Sequence, residues 1–573
     1  MKNNIYKIIF CALAVITLSG CIKETFPKGS TLTEEQLTQT DEALTYMLSG
    51  IPSAMTKTGG GGFYANYGLH NDFGLPAIQL ALESMLEDIA ISNTGYYQFT
   101  PYYQNIYQGS DYAWAQFFWN QYYKWIKLTN DIINIGGEVT DETSDKVKQV
   151  LGQAHAYRAM YYLDLARMYE PKPNAILPPS ESIISLTVPI VTEKTTETDA
   201  TNNPRASREE MYQFIISDLE TATEYLKNSS LNYTSPGLAA VYGMLARAYI
   251  ELGAAYKEQN KRTEWDEMTS QIAYEKAAEY ARKVIDMGRY SPLTQAQWED
   301  ATNGFNNGAT NNAWIWGVSI SSENVNNLIA NVSYRSNEAL FGYAQFFGLS
   351  VNRALYDKIP NEDFRKHSWW DPDLGYNYQF AGGSTLTTYM GSTYLISPTG
   401  YIGGSALEKY KSLKFRPAQG DIIDYTTGNA ANWCLMRIEE MYFIEIEAQF
   451  NLSGGLAKAQ QLLNEFMQNY RYPEYDCTYR TMTQEAFIEE LMLQKRIEFW
   501  GEGILFFDYK RLNRGITRGY ANTNIPAQAR FNCEGRSPQW NIVIVRNECQ
   551  SNKGIRHPQD NNPDPSEKLV LWK

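Results

Sequence analysis

Paired helical segments recur at both ends of this 573-residue chain, and they constrain its fold more than any other feature. Apolar residues repeat there with a period near 3.6, which is typical of amphipathic helices. This spacing predicts helices over residues 76–91, 111–135, 142–170, 205–227, 236–256, 271–288, 434–452, 456–470 and 483–501. Only Ser453, Gly454 and Gly455 separate two of these segments, as in helix-turn-helix repeats of the tetratricopeptide kind. We therefore expect a mainly α fold, built as a tetratricopeptide-like scaffold of helical pairs.

One predicted pair carries complementary faces of small and apolar residues, which predict a buried helix-helix interface. The first helix presents Ala239, Tyr242, Ala246, Tyr249 and Ile250, and the second presents Ala277, Ala278, Ala281 and Ile285. Local signals also mark helix ends. Ser207 and Glu210 have the spacing of a capping box. Three glycines stand where helices should stop, namely Gly253, Gly288 and Gly454.

The stretch from residue 289 to 433 has a different character. Glycine and asparagine accumulate there, aromatic residues lack a helical period, and short strand-like pieces such as 313–320 appear. We interpret this stretch as a loop-rich insertion that carries the ligand site, because structured loops on a rigid scaffold are where binding residues concentrate.

The first 21 residues have the features of an export signal. Lys2 and Lys7 precede an apolar run from Ile8 to Leu18, and Leu18-Ser19-Gly20-Cys21 resembles a bacterial lipobox, in which the cysteine is lipidated. A buried strand or a membrane-spanning anchor is the alternative, but the run is shorter than the ~20 residues that span a bilayer. We therefore expect Cys21 to carry a lipid.

These patterns divide the chain into five parts. We predict a lipoprotein signal peptide over 1–20, a polar tether over 21–35, a helical scaffold with an aromatic loop over 36–288, the loop-rich ligand-binding insertion over 289–433, and C-terminal helical repeats with a tail over 434–573.

Charge and residue counts exclude several functions. The chain has 50 basic and 64 acidic side chains, a net charge of −14, and so lacks the basic surplus that nucleic acid binding requires. Four widely separated histidines provide no HExxH pair, so we expect neither a metal nor another cofactor. Four cysteines remain downstream of Cys21, as disulfides or as inert thiols: Cys434, Cys477, Cys533 and Cys549.

Residues 96–125 contain fourteen aromatic side chains. Those at helical spacing are predicted to be core residues: Phe118, Trp119, Tyr122, Tyr123 and Trp125. The others lie beside glycine and proline without a helical period: Tyr96, Tyr97, Phe99, Tyr102, Tyr103, Tyr107, Tyr112 and Trp114. This loop either packs on itself or forms a platform. Flat rings stack on the C–H faces of sugars, so a platform would suit a carbohydrate.

Four motifs, in order behind the lipobox, give the chain a resemblance to the SusD/RagB-like outer-membrane lipoproteins. They are Arg158–Tyr162 with Leu165, Tyr169 and Val188–Val191; Arg205, Tyr212, Asp218–Leu219 and Ala222; Arg437, Glu440, Glu447 and Ala448; and Arg496, Glu498, Glu502–Gly503, Phe507–Asp508 and Arg511. The chain departs from the family pattern at Glu170-Pro171, Ile504 and Val545-Arg546. We interpret the charged motif residues as buried ion pairs between repeats.

The resemblance implies a non-catalytic, lipid-anchored glycan-binding protein on the outer face of the outer membrane. It also implies a partner, a TonB-dependent β-barrel transporter of the SusC type, to which oligo- or polysaccharide is passed. In relatives, the loop after the strand equivalent to Trp314–Ile320 contributes aromatic residues to the site. The corresponding residues here are Tyr334, Phe341, Tyr343, Phe346 and Phe347, with Trp369 and Trp370 further on.

We therefore expect a ligand site between two aromatic walls. Its aromatic members would be Tyr96, Tyr97, Tyr102, Tyr103, Trp114, Tyr334, Phe341 and Tyr343. Its polar candidates are Asn71 and Asp72, together with Arg335 and Asn337, although each could be a solvated loop residue.

Two other functions stay open at this point. The same scaffold could serve as a peptide-binding uptake receptor, for which charge and backbone donors would replace flat rings. A glycoside hydrolase would need two carboxylates ~5 to 9.5 Å apart, one of them with a raised pKa. The acids nearest the aromatic loop are Glu83, Glu87 and Asp88, which the helical pattern places on a helix face, solvated or ion-paired.

Overall fold

The structure is a computed structural model that describes residues 41–59, 69–92, 94–259, 265, 268–302, 305, 308–479 and 482–566. The predicted signal peptide (1–20), the lipidation site Cys21 and the predicted tether (21–35) lie outside the described residues. They stay predictions.

Long helices dominate the described chain. Ten of them have ten residues or more: α1 Asp41–Thr56, α2 Leu75–Ser84, α3 Ala113–Gly136, α4 Asp145–Tyr169, α5 Arg208–Leu226, α6 Leu238–Gln259, α7 Ser270–Asp286, α8 Ile438–Asn451, α9 Leu456–Tyr470 and α10 Gln484–Glu498. From α3 to α9, each long helix packs against the next along the chain. This succession of helical pairs confirms the predicted fold class.

Short helices and turns fill the connections between these long ones. They include Thr100–Tyr103, Glu197–Ala200, Gln295–Glu299, Asn331–Arg335, Arg353–Tyr356, Tyr425–Gly428, Leu505–Arg511 and Arg546–Ser551.

Short strands form antiparallel pairs in the part of the chain that the structure describes. The pairs are β1 Ile89–Ile91 with β3 Leu349–Val351, β2 Trp314–Val318 with β6 Trp433–Arg437, β4 Thr385–Tyr389 with β5 Ser392–Ile396, and β7 Ile516–Thr517 with β8 Asn532–Cys533. Three of the pairs involve residues of the predicted insertion.

Two predicted helices are shorter than expected because strands occupy their ends. The helix predicted over 76–91 ends at Ser84, and residues 89–91 form β1. The helix predicted over 434–452 begins at Ile438, because residues 433–437 pair with β2. In both cases the apolar run was long enough for a helix, and pairing with a distant strand decided the structure.

The interface between α6 and α7 is as close as the sequence predicted. Ala246 and Ala281 are buried, and the rings of Tyr249 and Tyr280 stack at 5.8 Å between centroids. Gly253 is a correction, since α6 continues through it to Gln259. A Cβ at Gly253 would lie 2.8 Å from the Tyr274 ring, so glycine permits the close approach of the two helices there.

Helix-capping predictions hold at α5. Ser207 accepts a hydrogen bond from the backbone N–H of Glu210, and the Glu210 side chain accepts one from the N–H of Ser207. Gly288 and Gly454 both follow helix ends and have φ of 66° and 71°. Such left-handed backbone favours glycine.

The predicted ion pairs between repeats are present. Arg158 binds Asp218 at 2.7 Å, Arg247 binds Glu440 at 2.6 Å, and Arg496 binds Asp88 at 2.5 Å. Glu447 is bound by Lys495 and Arg511, both from the last third of the chain. The charged motif residues are therefore structural.

A large group of buried charges surrounds Glu498 at the end of α10. Its carboxylate binds Arg471 at 2.6 Å, Arg437 at 2.7 Å and Arg365 at 3.0 Å. Glu439, Glu502 and Lys414 complete what we call the Glu498 cluster. The cluster joins the insertion to the C-terminal repeats, because Arg365 belongs to the former and Glu498 to the latter.

Candidate ligand-binding surface

The two aromatic segments that the sequence singled out meet directly. Tyr97 contacts Phe347 with ring centroids 5.0 Å apart, and Phe99 contacts Tyr334 at 5.3 Å. Phe73 stacks on Tyr334, also at 5.3 Å. We call these five residues the aromatic junction. Its rings fill the space between the segments, which leaves no slot between two walls there.

Most of the tyrosines expected to bind ligand are core residues. Tyr97, Tyr102, Tyr103 and Tyr334 are all buried, with at most 2% of their surface exposed. A ring covered on both faces cannot stack on a sugar, so the structure corrects this part of the predicted site. Burial of so many rings also explains the lack of a helical period, since the loop packs on itself.

The hydroxyl groups of these tyrosines already have protein partners. Tyr97 pairs with the hydroxyl of Ser84 at 2.6 Å, Tyr102 donates to the carbonyl of Trp114 at 3.1 Å, and Tyr103 accepts from the N–H of Ile91 at 3.3 Å. Burial raises the pKa of Tyr103 to about 12, partly offset by nearby Arg518. These hydroxyls stabilise the loop instead of facing a ligand.

The polar candidates are buried as well. Asp72 accepts a hydrogen bond from the side chain of Gln121 at 3.0 Å, and Asn71 is equally inaccessible. Arg335 is buried beneath the junction, where it donates to the carbonyls of Gly501 and Pro76. Burial lowers its pKa to about 9. Asn337 donates to two carbonyls at 2.8 and 2.9 Å, so it too has a structural role.

Phe341 and Trp114 lie away from the junction. Phe341 packs in a separate small cluster with Val332, Ala339 and Ala344. Trp114 is half-buried and meets the edge of Tyr102 at 5.4 Å.

An accessible margin remains on one side of the junction. Tyr96 and Phe346 stack at 4.9 Å with an angle of 25° between their rings, and they are 49% and 45% exposed. Tyr343 is itself buried, with 7% of its surface exposed; it lies next to Phe346, and its hydroxyl hydrogen-bonds to Nδ1 of His70. We call these four residues the aromatic edge. The Tyr96 hydroxyl has no hydrogen-bond partner among the described residues.

The edge could be predicted only in part. Tyr96 and Tyr343 were among the expected site residues, and Phe346 was noted in the second segment. His70 was missed because a single histidine in a loop gives no periodic signal. Its place at the edge depends on the carbonyl that it offers to the Tyr334 hydroxyl at 2.6 Å.

The acids near the aromatic segments have structural partners. Glu83 is fully buried and accepts hydrogen bonds from the N–H groups of Gly501 and Gly503 at 3.0 and 3.1 Å. Burial raises its pKa to about 7. Glu87 accepts a hydrogen bond from the hydroxyl of Tyr509, and Asp88 forms an ion pair with Arg496. We expected these acids to be solvated or ion-paired. Asp88 is ion-paired, but Glu83 is buried and bonded to backbone N–H groups instead.

Three further observations on the described residues concern metal ligands, cysteines and membrane-spanning helices. No group of three or more His, Cys, Asp or Glu side chains in it has the arrangement of a metal site. The four downstream cysteines, Cys434, Cys477, Cys533 and Cys549, are free. None of the helices in the described ranges combines the length and the apolar character that a bilayer crossing demands.

Fold and surface together define a helical-repeat binding protein, and comparison with known families identifies which kind. Residues 75–250 match a SusD-like family described as "Starch-binding associating with outer membrane", and residues 349–557 match the SusD/RagB family, described as "SusD family". The chain belongs to the SusD/RagB family. Members of this family are non-catalytic binding proteins, and the chain is not an enzyme.

Individual relatives are distant in sequence. A SusD-like protein P2 from Formosa agariphila is 23% identical over 523 residues, which cover 89% of this chain and 91% of that protein. The crystal structure of a SusD-like carbohydrate binding protein from Bacteroides vulgatus aligns with a TM-score of 0.65 at 20% identity, over 92% of this chain and 98% of that one.

A second solved structure gives a similar result. The surface glycan-binding protein A from Bacteroides uniformis aligns with a TM-score of 0.59 at 17% identity, over 91% of this chain and 99% of that one. At such identities the structural matches establish a shared fold.

Proposed function

We propose that the protein binds oligo- or polysaccharide at the cell surface and delivers it to a TonB-dependent transporter in the outer membrane. Family membership supports a binding function, and two structural relatives are named for carbohydrate or glycan binding. The observation that carries the proposal is the aromatic edge, where Tyr96 and Phe346 form a half-exposed stack on a packed aromatic base.

The edge has the properties that a sugar requires. The half-exposed rings of Tyr96 and Phe346 offer apolar surface to the axial C–H groups of a sugar. The free hydroxyl of Tyr96 can donate to or accept from the hydroxyls at the rim of a sugar. The buried tyrosines contribute by fixing this surface in place, because a preorganised site loses less entropy on binding.

Anchoring and delivery complete the proposal. Lipidation at Cys21 would hold the protein at the outer membrane, in line with the membrane association in the family description. A transporter partner of the SusC type would receive the glycan. Such a lid needs a broad and partly polar contact surface in addition to its ligand site.

The binding site is tested by titration calorimetry with the best glycan from an array. We expect Tyr96→Ala and Phe346→Ala each to weaken binding by about 1 kcal/mol, roughly fivefold in Kd, because each removes one stacked ring. The melting temperature should not change. The control is Tyr46→Ala, which removes a tyrosine that is 70% exposed on α1. Wild-type affinity in both edge variants would place the site elsewhere.

The same titration distinguishes the second candidate, a peptide uptake receptor. Peptide recognition needs charged groups or backbone donors, and the edge consists of rings. A peptide library that binds while the glycan array gives no signal would favour the receptor function. For the partner, detergent-solubilised membranes should yield a large β-barrel protein with the wild type. Repeated recovery of the protein alone would count against delivery.

A further inference from the structure

A separate cleft lies along α3, away from the aromatic edge. It is an open cleft of about 650 Å³, lined by α3, by the segment 189–203 and by the short helix Arg546–Ser551. Pockets that hold small ligands occupy about 300–1,000 Å³. The cleft is therefore large enough for one or two sugar rings. We call it the Trp119 cleft.

The floor of the cleft is aromatic. Trp119 and Tyr123 lie one turn apart on α3, with ring centroids 4.7 Å apart. Trp119 is 4% exposed and is supported from below by the edge of Tyr169 at 5.2 Å. Its indole N–H donates no hydrogen bond to any group in the described ranges, although more than nine-tenths of the residue is buried. The N–H itself is not among the fully buried unpaired donors of the described residues, so it remains accessible for a hydrogen bond.

The rim of the cleft is polar and rich in amides. The residues that line it above the floor include Asn120, Asn203, Asn547, Glu197, Glu548 and Thr201. Amides and hydroxyls both donate and accept, which suits sugar hydroxyls. The lining contains two carboxylates, Glu197 and Glu548, and one basic side chain, Lys124. This excess of negative charge disfavours an anionic ligand. The chemistry indicates a neutral, hydroxyl-rich molecule with an apolar face.

The walls of the cleft are held by hydrogen bonds across the chain. Asn203 and Asn552 bond to each other twice, at 2.9 and 2.6 Å, which ties the 189–203 segment to the C-terminal helix. The Tyr123 hydroxyl donates to the carbonyl of Pro189 at 2.7 Å. The N–H of Lys553 donates to Thr201 at 2.8 Å. The cleft is thus formed before any ligand arrives.

A second aromatic pair lies at the start of α3, outside the residues that line the cleft. The exposed rings of Tyr107 and Tyr112 lie 5.3 Å apart, and Arg546 of the wall helix binds Asp111 beside them at 2.8 Å. Tyr112 immediately precedes α3 and stands seven residues before Trp119, which is about 10 Å of helix. Successive aromatic residues along a surface can contact successive sugar rings.

We propose that the Trp119 cleft is a second carbohydrate-binding site, which takes a neutral oligosaccharide with one sugar ring against the part-exposed ring of Tyr123 and beside the indole N–H of Trp119. The choice of ligand class rests on the proposed glycan-binding function. The cleft itself rests on the aromatic floor, the unpaired indole N–H and the amide rim. Two sites would let one long glycan contact the protein at two places and would raise its avidity.

The test blocks the cleft from its wall. Ser551 is an exposed residue that lines the cleft, and Gln550 is its exposed neighbour on the same helix outside the lining. Ser551→Trp should fill the cleft, and Gln550→Trp is the matched control. The probes are maltohexaose, cellohexaose, laminarihexaose, xylohexaose and mannohexaose, titrated by calorimetry into the full mature protein.

For at least one hexasaccharide, we expect the wild type and Gln550→Trp to bind two molecules. Ser551→Trp should bind one, at the edge, and the double variant Tyr96→Ala/Phe346→Ala should bind one, at the cleft. Equal stoichiometry and affinity in Ser551→Trp and Gln550→Trp would overturn the proposal. If Ser551→Trp melts below its control, Ala200→Trp on the opposite wall provides the same comparison.

The outcomes for the two sites are separable. Loss of binding in Ser551→Trp alone, with the edge variants unchanged, would support the cleft and remove the edge from the proposed function. No binding of any hexasaccharide by the wild type would overturn the cleft proposal, whereas the proposed function would be judged on the complete glycan array.

Discussion

The Glu498 cluster and the aromatic junction are both built from residue types that are common in ligand sites, and both are buried. They differ at their margins. The charged cluster is enclosed on all sides, with Glu498, Arg365 and Arg471 inaccessible, whereas the junction ends at a half-exposed stack of Tyr96 on Phe346. Residue type therefore does not distinguish the two regions. The proposed ligand site is placed at the junction because only there do rings remain exposed, at Tyr96 and Phe346.

The physical reasons for burial also differ. Burying a carboxylate is costly, and several partners are needed to offset the cost. Burial by itself would raise the pKa of Glu498, yet Arg471 and Arg437 lower it well below the usual range. The junction needs no such compensation, because aromatic rings gain from burial and their few hydroxyls each find a partner.

The largest effect should come from breaking the charged region. Glu498→Ala would leave three buried arginines without their shared carboxylate, so we expect a loss of about 5 kcal/mol in the free energy of unfolding. The matched control is Glu489→Ala on the same helix, where the side chain is 63% exposed and pairs only with Arg514. That change should cost about 0–1 kcal/mol. Urea denaturation measures both; equal midpoints would show that the cluster contributes no net stability.

A smaller effect separates the core of the junction from its edge. Tyr97→Ala removes a fully buried ring and should destabilise the protein by about 3–5 kcal/mol. Tyr96→Ala, one residue earlier, should leave stability unchanged and affect only ligand binding. Thermal melting of the two variants side by side is the measurement. Similar melting temperatures would contradict the division into buried junction and accessible edge.

The smallest effect concerns Glu83, which lies at the boundary between the two regions. Its carboxylate accepts hydrogen bonds from the N–H groups of Gly501 and Gly503, and the hydroxyl of its neighbour Ser84 hydrogen-bonds to Tyr97. Because burial raises the pKa of Glu83 from 4.5 to about 7, the folded state binds more protons than the unfolded state between these values. The contribution of Glu83 to stability should therefore fall by up to about 3 kcal/mol as pH rises from about 4.5 to about 7 and stay level above, in addition to the contributions of other buried acids with raised pKa values such as Glu251 and Glu338.

Glu83→Gln provides the comparison for this pH dependence. It should reduce the slope of the free energy of unfolding in that window, measured by urea denaturation at several pH values. Glu170 and Glu447 do not interfere, since their pKa values are lowered to about 2 by basic partners that outweigh burial, and their effects appear in more acidic solution. An unchanged slope in Glu83→Gln would show that Glu83 is ionised across the window.

Much of the scaffold was predictable because its determinants are local. Helical periodicity, the Ser207 capping box and the small residues of α6 and α7 each act over a few positions. The exceptions depend on distant partners. Residues 89–91 and 433–437 form strands because Leu349–Val351 and Trp314–Val318 lie alongside them, and no local pattern carries that information.

The proposed ligand surface was less predictable for the same reason. Sequence correctly drew attention to two aromatic segments, and they do come together. Which rings stay accessible depends on how the segments pack. Two consecutive residues of one loop can therefore differ, one exposed and the next buried. Tyr96 is half-exposed and Tyr97 is buried because only the latter reaches Ser84 and Phe347.

The C-terminal part of the chain donates hydrogen bonds to backbone carbonyls of the N-terminal part. Asn562 and Asn541 bond to the backbone at Tyr169 and Lys172, and Arg518 donates to carbonyls at Ser84, Leu86 and Tyr103. These contacts join residues more than 300 positions apart in sequence. Folding therefore has to bridge very long loops, which slows it. The N-terminal repeats cannot reach their final hydrogen bonding until the whole polypeptide is present.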